Sequence, residues 1–150
     1  MNVATFLLLG SIVVAGLAGL FGGYDHRSGI ESADAALEIS GPSIIRNGEY
    51  DEMTIKMTAK RPIENAVLEV DATFWRDMTI NTMIPSPERE ELRNGIMRFE
   101  FGPLDAGDAA QFKIDAQVNP HRFGASEGRF VLLDGDRPLA ELARELTVMP

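Results

Sequence analysis

Hydrophobic and polar residues follow two different rhythms along this chain. Residues 2–24 carry no charged side chain, and Phe6, Leu7, Leu8, Leu9, Ile12, Val13, Val14, Leu17 and Leu20 make the stretch apolar almost throughout. About 20 such residues in a helix match the roughly 30 Å hydrocarbon core of a bilayer. The pattern predicts one transmembrane anchor helix over residues 1–24. Tyr24 falls at its end, where aromatic rings sit at the headgroup level. Residues 25–36 are rich in Gly, Ser and acidic side chains and read as a polar linker.

From Leu37 the period becomes two. Leu37 and Ile39 alternate with Glu38 and Ser40 before a Gly41-Pro42 break, and Asn47-Gly48 supplies a turn. Met53, Ile55, Met57 and Ala59 alternate with Thr54, Lys56 and Thr58. Ala66, Leu68, Val70, Ala72 and Phe74 share the next face, with Glu69, Asp71 and Trp75 opposite, and Met78, Ile80 and Thr82 continue that strand past a bend near Arg76-Asp77. Pro85 and Pro87 remove ladder donors, so residues 84–87 are no central strand. Further alternation runs through Met97, Phe99 and Phe101, and through Ala110, Phe112, Ile114, Ala116 and Val118. The chain closes with a hairpin at Asp134-Gly135 whose second strand places Leu142, Arg144, Leu146 and Val148 on one face. Residues 139–145 also have the composition of a helical turn. Seven strand candidates predict an all-β fold: a seven-stranded antiparallel immunoglobulin-like sandwich over residues 37–150, preceded by the helix.

The segment Gly102-Pro103-Leu104-Asp105-Ala106-Gly107-Asp108-Ala109-Ala110-Gln111-Phe112-Lys113-Ile114 resembles the turn-plus-strand of bacterial membrane-tethered immunoglobulin-like domains of the fibronectin III and CARDB kind. The resemblance covers roughly residues 37–149. It implies a binding or spacing role and carries no catalytic residues with it. The antibody disulfide is missing, because the chain has no Cys.

Composition narrows the partners. The 150 residues leave enough chain for one core beyond the helix, and a net charge of −9 speaks against nucleic acid and against adsorption of the domain to anionic lipid. Lack of Cys excludes disulfides and thiolate metal sites without fixing the compartment. An extracytoplasmic, periplasmic domain is expected by analogy with tethered β-sandwiches. Arg27, offset by Asp25, is too little flanking charge to set the orientation.

The first segment has a competing reading. A secretory signal needs a basic start, which is absent here, and a small-x-small cleavage site, which Gly16-Leu17-Ala18 provides. Against cleavage stands an apolar run longer than the core of a signal. The small residues Ser11, Ala15, Gly19 and Gly23, spaced four apart, carry a separate message. On one helix they form a smooth face for packing against another membrane helix, or for self-association.

Candidate chemistry is sparse. His26 and His121 have no ligand-spaced partners, and a triad of Ser86, His121 and an Asp lacks a nucleophile turn. No cofactor is expected, and the chain does not read as an enzyme. Asp134-Gly135-Asp136 reads as a hairpin turn before a calcium loop. Met78, Met83 and His121 form the basis of one alternative, a periplasmic copper(I) chaperone. Partner contact falls to two loops: Trp75, Arg76, Met78, Met83 and Pro85 in the first, Arg122 and Phe123 in the second. The expected function is a non-catalytic accessory or assembly subunit of a larger integral membrane complex, of an electron-transfer, photosynthetic or transport kind. A tethered adhesion or ligand-binding domain is the other alternative.

Overall fold

The computed structural model describes residues 2–20 and 25–150. The first of these stretches holds α1 (Val3–Leu17), 15 residues long. Asn2 stands extended at its N-cap, and its carbonyl accepts from the amides of Thr5 and Phe6. At the other end Gly19 takes φ +77°. Its N–H reaches the Gly16 carbonyl at 3.0 Å, and the Leu20 N–H reaches Ala15 at 3.0 Å. That pair of bonds is a Schellman stop, in which a glycine adopts the left-handed conformation just past the last turn. The helix is therefore shorter than the predicted span. Fifteen residues rise about 22 Å, and among the described residues no helix is long and apolar enough to cross a membrane.

The second stretch is β structure in two sheets, with eleven strands among the described residues rather than seven. One sheet has the order β1-β2-β4-β9-β6, built from β1 (Asp25–Glu31), β2 (Ala35–Pro42), β4 (Tyr50–Ala59), β9 (Ala109–Val118) and β6 (Met78–Ile84). The other has the order β3-β11-β10-β5-β8-β7, from β3 (Ile44–Arg46), β11 (Arg137–Met149), β10 (Gly124–Asp134), β5 (Ile63–Asp71), β8 (Ile96–Leu104) and β7 (Arg89–Arg93). Pairing is antiparallel apart from β3 with β11. Residues 139–145 are strand, with no helical turn.

The expected linker is largely strand. β1 pairs with β2 from Asp25↔Pro42 to Glu31↔Ala36, and the Ser32 hydroxyl accepts from the amides of Asp34 and Ala35 in the turn between them. An edge strand has one side open to water and no need of apolar alternation, so Asp-His-Arg-Ser-Gly-Ile-Glu gives no period-two signal. β7 is hidden for the same reason: its five residues are all exposed, and four of them are charged.

Between the sheets lie Phe74, Phe99, Phe112 and Phe130, each at most 1% exposed, with Leu37, Ile55, Leu68, Leu132 and Leu146. Phe74 and Trp75 both belong to this core, although an extended chain would send them to opposite faces. β5 ends at Asp71, and the chain turns there, with the Phe74 N–H donating to the Asp71 carbonyl at 3.0 Å. The turn delivers both rings inward. It also carries the chain across to the other sheet, so Met78–Ile84 is a separate strand paired with β9, not a continuation of β5. The bulge lies within it, between Ile80 and Thr82.

Candidate functional site

The helix is apolar on every side. Phe6, Leu7, Leu8, Leu9, Ile12, Val13, Val14 and Leu17 are all exposed, and no residue of α1 is buried. Of the small-residue stripe, Ser11 and Ala15 share the helix, and the Ser11 hydroxyl donates to the Leu8 carbonyl at 2.7 Å. Gly19 is the helix terminator and does not extend a continuous face. Gly23 and Tyr24 lie outside the described residues.

The Trp75–Met78 end of the first predicted contact loop meets the second loop at one end of the sandwich, while Met83 and Pro85 fall at the other end of β6. The Asn119 N–H donates to the Asp77 carbonyl at 3.0 Å, and the Thr79 hydroxyl donates to Asn119 Oδ1 at 2.9 Å. Their side chains have divergent roles. Trp75, 6% exposed, stands edge-on to Phe74, Phe99 and Phe130 with ring centres 5.8 to 6.1 Å apart. It is a core residue, held where T-shaped aromatic contacts are favourable. Arg122 is also buried: it donates to the Ser126 hydroxyl and to the Phe74 carbonyl, while its Nη1 has no partner. Burial draws its pKa below the ordinary guanidinium value. Arg76 and Pro85 are exposed, Met78 and Met83 are half-buried against the core, and Phe123 is 57% exposed. The accessible residues of the predicted contact set are thus Arg76 and Phe123 at one end of β6 and Pro85 beyond the other, and they do not form one surface.

The same geometry separates the proposed copper ligands. Met78 pairs with Val118 and Met83 with Ile114, at opposite ends of β6. Five steps of strand set them about 16 Å apart, too far for one ion. Ser86 follows Met83, where its hydroxyl donates to the Met83 carbonyl at 3.3 Å, while His121 lies in the turn after β9, beyond the other end of β6. Among the described residues, no three His, Asp or Glu side chains are grouped so as to hold a metal. Asp134 stands at the hairpin turn between β10 and β11 and ties it to β5: its Oδ1 accepts from the amides of Glu64 and Asn65 at 2.9 and 3.1 Å.

At the Asp25 end of β1 lies a feature the loops do not share. Arg144, 4% exposed, projects from β11 between the sheets and donates to the carbonyls of His26, Ile39, Gly41 and Pro42 on β1 and β2. Nearby on β4 is Asp51, also 4% exposed, with Oδ1 enclosed and unpartnered. Its pKa is pushed up to about 6, chiefly by burial, with Arg144 pulling the other way and Asp25 and Glu52 adding to the rise. Both residues occupy apolar-face positions of alternating strands, Arg144 between Leu142 and Leu146 and Asp51 two before Met53. A charge at such a position is the signal by which the sequence exposes this pair.

No protein-family model matches the sequence, and no curated protein sequence matches it. The structure is similar to the CARDB domain of a Pyrococcus furiosus protein solved in complex with di-metal ions, at 12% identity and a TM-score of 0.49 over 77% of this chain and 88% of that one. It is also similar to BslA, a bacterial hydrophobin, at 17% identity and a TM-score of 0.42 over 86% and 98% of the two chains. A third likeness, at 11% identity and a TM-score of 0.37, is to 18% of the chain of a Vibrio harveyi GH20 exo-β-N-acetylglucosaminidase, with 85% of this chain covered. At these identities and scores no activity, ligand or partner passes from those proteins to this chain.

Proposed function

We propose that this chain is a membrane-held, immunoglobulin-like β-sandwich that acts by contact with an integral membrane protein, as a non-catalytic accessory or assembly subunit outside the cytoplasm. The observation that carries the reading is α1 itself, apolar around its whole circumference and with none of its residues buried. A helix of that kind is stable in water only when something else covers it, and lipid or a lipid-embedded neighbour does so. The helix proper is short for a bilayer. The uncharged sequence continues through residue 24, and thinning of the bilayer accommodates the remaining mismatch at modest cost. Ser11 and Ala15 leave a shallow place on one side for a second helix.

A second reading is favoured by the Schellman stop. Fifteen helical residues fall within the length of a signal-peptide core, and the turn at Gly19 directly follows Gly16-Leu17-Ala18. Cleavage there would release the sandwich as an exported adhesion or ligand-binding domain.

One experiment separates them. The full chain, tagged at its C-terminus, is expressed in a bacterial host and fractionated, and the N-terminus of the recovered protein is sequenced. The subunit reading requires an intact start, retention in membranes after alkaline wash, and a stoichiometric multi-span partner on purification in mild detergent. A mature protein beginning near Gly19 in the soluble fraction overturns it.

A further inference from the structure

The region around Tyr50 has the chemistry of a receptor for a positive side chain. Two grooves, of about 440 and 260 Å³, share Tyr50, Asp51 and Glu52. Asn81, Thr82 and Asp115 complete the first; Asp25, Glu49 and the apolar Pro42, Ile44 and Ile45 complete the second. Five carboxylates line the pair of grooves and no basic side chain does. Some are occupied already: Glu52 holds Lys113 at 2.6 Å, Asp115 accepts from the Thr82 hydroxyl at 2.7 Å, and Glu49 accepts from the Arg46 amide at 3.0 Å. Asp25 and Asp51 are not. Among the described residues neither makes an ion pair or a side-chain hydrogen bond; Arg144 behind them pulls on both through space, but its Nη1 and Nη2 donate to four backbone carbonyls and its Nε has no partner.

Acidic residues alone are commonplace on a chain of net charge −9. What distinguishes this place is Asp51, a residue 4% exposed that lines both grooves and whose Oδ1 is enclosed without a donor. Beside it Tyr50 is 72% exposed, offering a ring face at the junction of the two grooves. A buried carboxyl without a donor is costly, and a cation arriving over an adjacent aromatic ring supplies what is missing. A metal ion would need three ligands at one point, which the described residues do not provide. A guanidinium, planar and with five donors, reaches carboxylates that stand apart.

We infer that the Tyr50–Glu52 grooves dock a basic peptide segment of a partner protein, with one arginine side chain lying over Tyr50 toward Asp25 and Asp51. The inference rests on the contact function proposed above and names the surface that makes the contact.

The test is titration of the isotopically labelled full chain, in detergent micelles, with a short capped Gly/Arg peptide, followed by NMR. Amide shifts confined to Asp25, residues 49–52 and residues 81–82 are expected, with affinity about tenfold weaker in Tyr50→Ala and weakened also in Asp25→Asn. Both positions are exposed, so these variants fold. Shifts spread evenly over the acidic surface, including Glu141 and Glu145, overturn the inference, as does no binding. Tight binding of calcium at the same residues, unaffected by Tyr50→Ala, also overturns it. Pull-down of the membrane partner is scored separately. Equal recovery with wild type and Tyr50→Ala leaves the subunit reading standing and removes this groove from it.

Discussion

Gly128 on β10 lies under Phe74 so closely that a Cβ added there would stand 2.5 Å from the Phe74 Cβ. The contact explains how the turn after β5 is held against the opposite strand. Beside it, the Ser126 hydroxyl donates to the Phe74 carbonyl at 3.2 Å, and Arg122 reaches the same carbonyl. The atoms that crowd Gly128 belong to a ring-bearing side chain packed edge-on against Phe130 at 5.0 Å, so they cannot swing aside. Gly128→Ala is expected to destabilise the domain by about 1–3 kcal/mol through overpacking. Gly29→Ala is the control, since its new methyl meets nothing nearer than 3.6 Å. Urea unfolding of both variants measures the difference, and equal midpoints would show that the turn relaxes freely.

Trp75 and Phe123 are expected to separate stability from binding. Trp75→Ala removes a buried indole in contact with three phenylalanines, a loss of about 3–5 kcal/mol. Phe123 is 57% exposed, so Phe123→Ala changes stability by no more than about 0.5 kcal/mol. If the loop end touches a partner, Phe123→Ala lowers partner recovery while the unfolding midpoint stays put. Thermal unfolding and detergent pull-down on the same preparations read both quantities. A large loss of stability in Phe123→Ala would place that ring in the core instead.

Strands with one buried face were legible because their alternation is physically forced. β4 and β9 each present five apolar-face positions, and β8 and the hairpin of β10 and β11 follow the same rule. The missed elements are those that tertiary pairing creates with little burial or in too few residues to alternate: β1 and β7 bury no residue, and β3 is three residues long with Ile45 alone buried. β1, β3 and β7 sit at sheet edges, where charge is permitted and even protective. Alternation carried through residues 72–77 puts Trp75 on the wrong face, because the backbone turns there and side-chain period two no longer applies. Spacing assigns Gly19 to a helix face, but small size suits both packing and left-handed termination, and spacing alone does not tell them apart. Arg144 was visible as a charge on an apolar face. Its partners were not, because they are backbone carbonyls of strands some hundred residues earlier.

Arg144 ties the first strand of the domain to the last. Its guanidinium engages carbonyls on β1 and β2 from across the interlayer, at 3.3 Å for His26 and 3.2 Å for Ile39 and Pro42. Arg144→Met leaves those four carbonyls without a donor and removes the charge that pulls on Asp51, a loss of about 3 kcal/mol. Arg144→Lys keeps the charge but not the fork, and recovers only part of it. Hydrogen exchange checks the locality of the effect. In Arg144→Lys the amides of residues 26–31 and 36–42 are expected to lose protection before those of β9 and β10. Uniform loss across both sheets would mean that Arg144 supports the whole core and not the β1 tether.

The same site makes stability depend on pH with an unusual sign. In the unfolded chain an aspartate titrates at about 3.9, whereas Asp51 in the fold is pushed up to about 6 by burial. Between those values the folded state binds the extra proton, so stability falls as pH rises. The favourable contribution is complete below pH 4 and gone above about pH 6, an interval worth about 3 kcal/mol. Facing groups act in both directions: Arg144 favours the carboxylate, while Asp25 and Glu52 oppose it. Asp51→Asn keeps the shape and removes the titration. Its stability is expected to match wild type near pH 4 and to exceed it progressively up to pH 7, by about 3 kcal/mol. Taking the difference between the two unfolding curves at each pH cancels the other carboxylates, whose titration is common to both. A difference that stays flat from pH 4 to 7 would mean that Asp51 titrates normally and is solvated in the fold. A difference of opposite slope would mean that Arg144 holds it as a salt bridge, and that the burial penalty is not what governs this end of the sandwich.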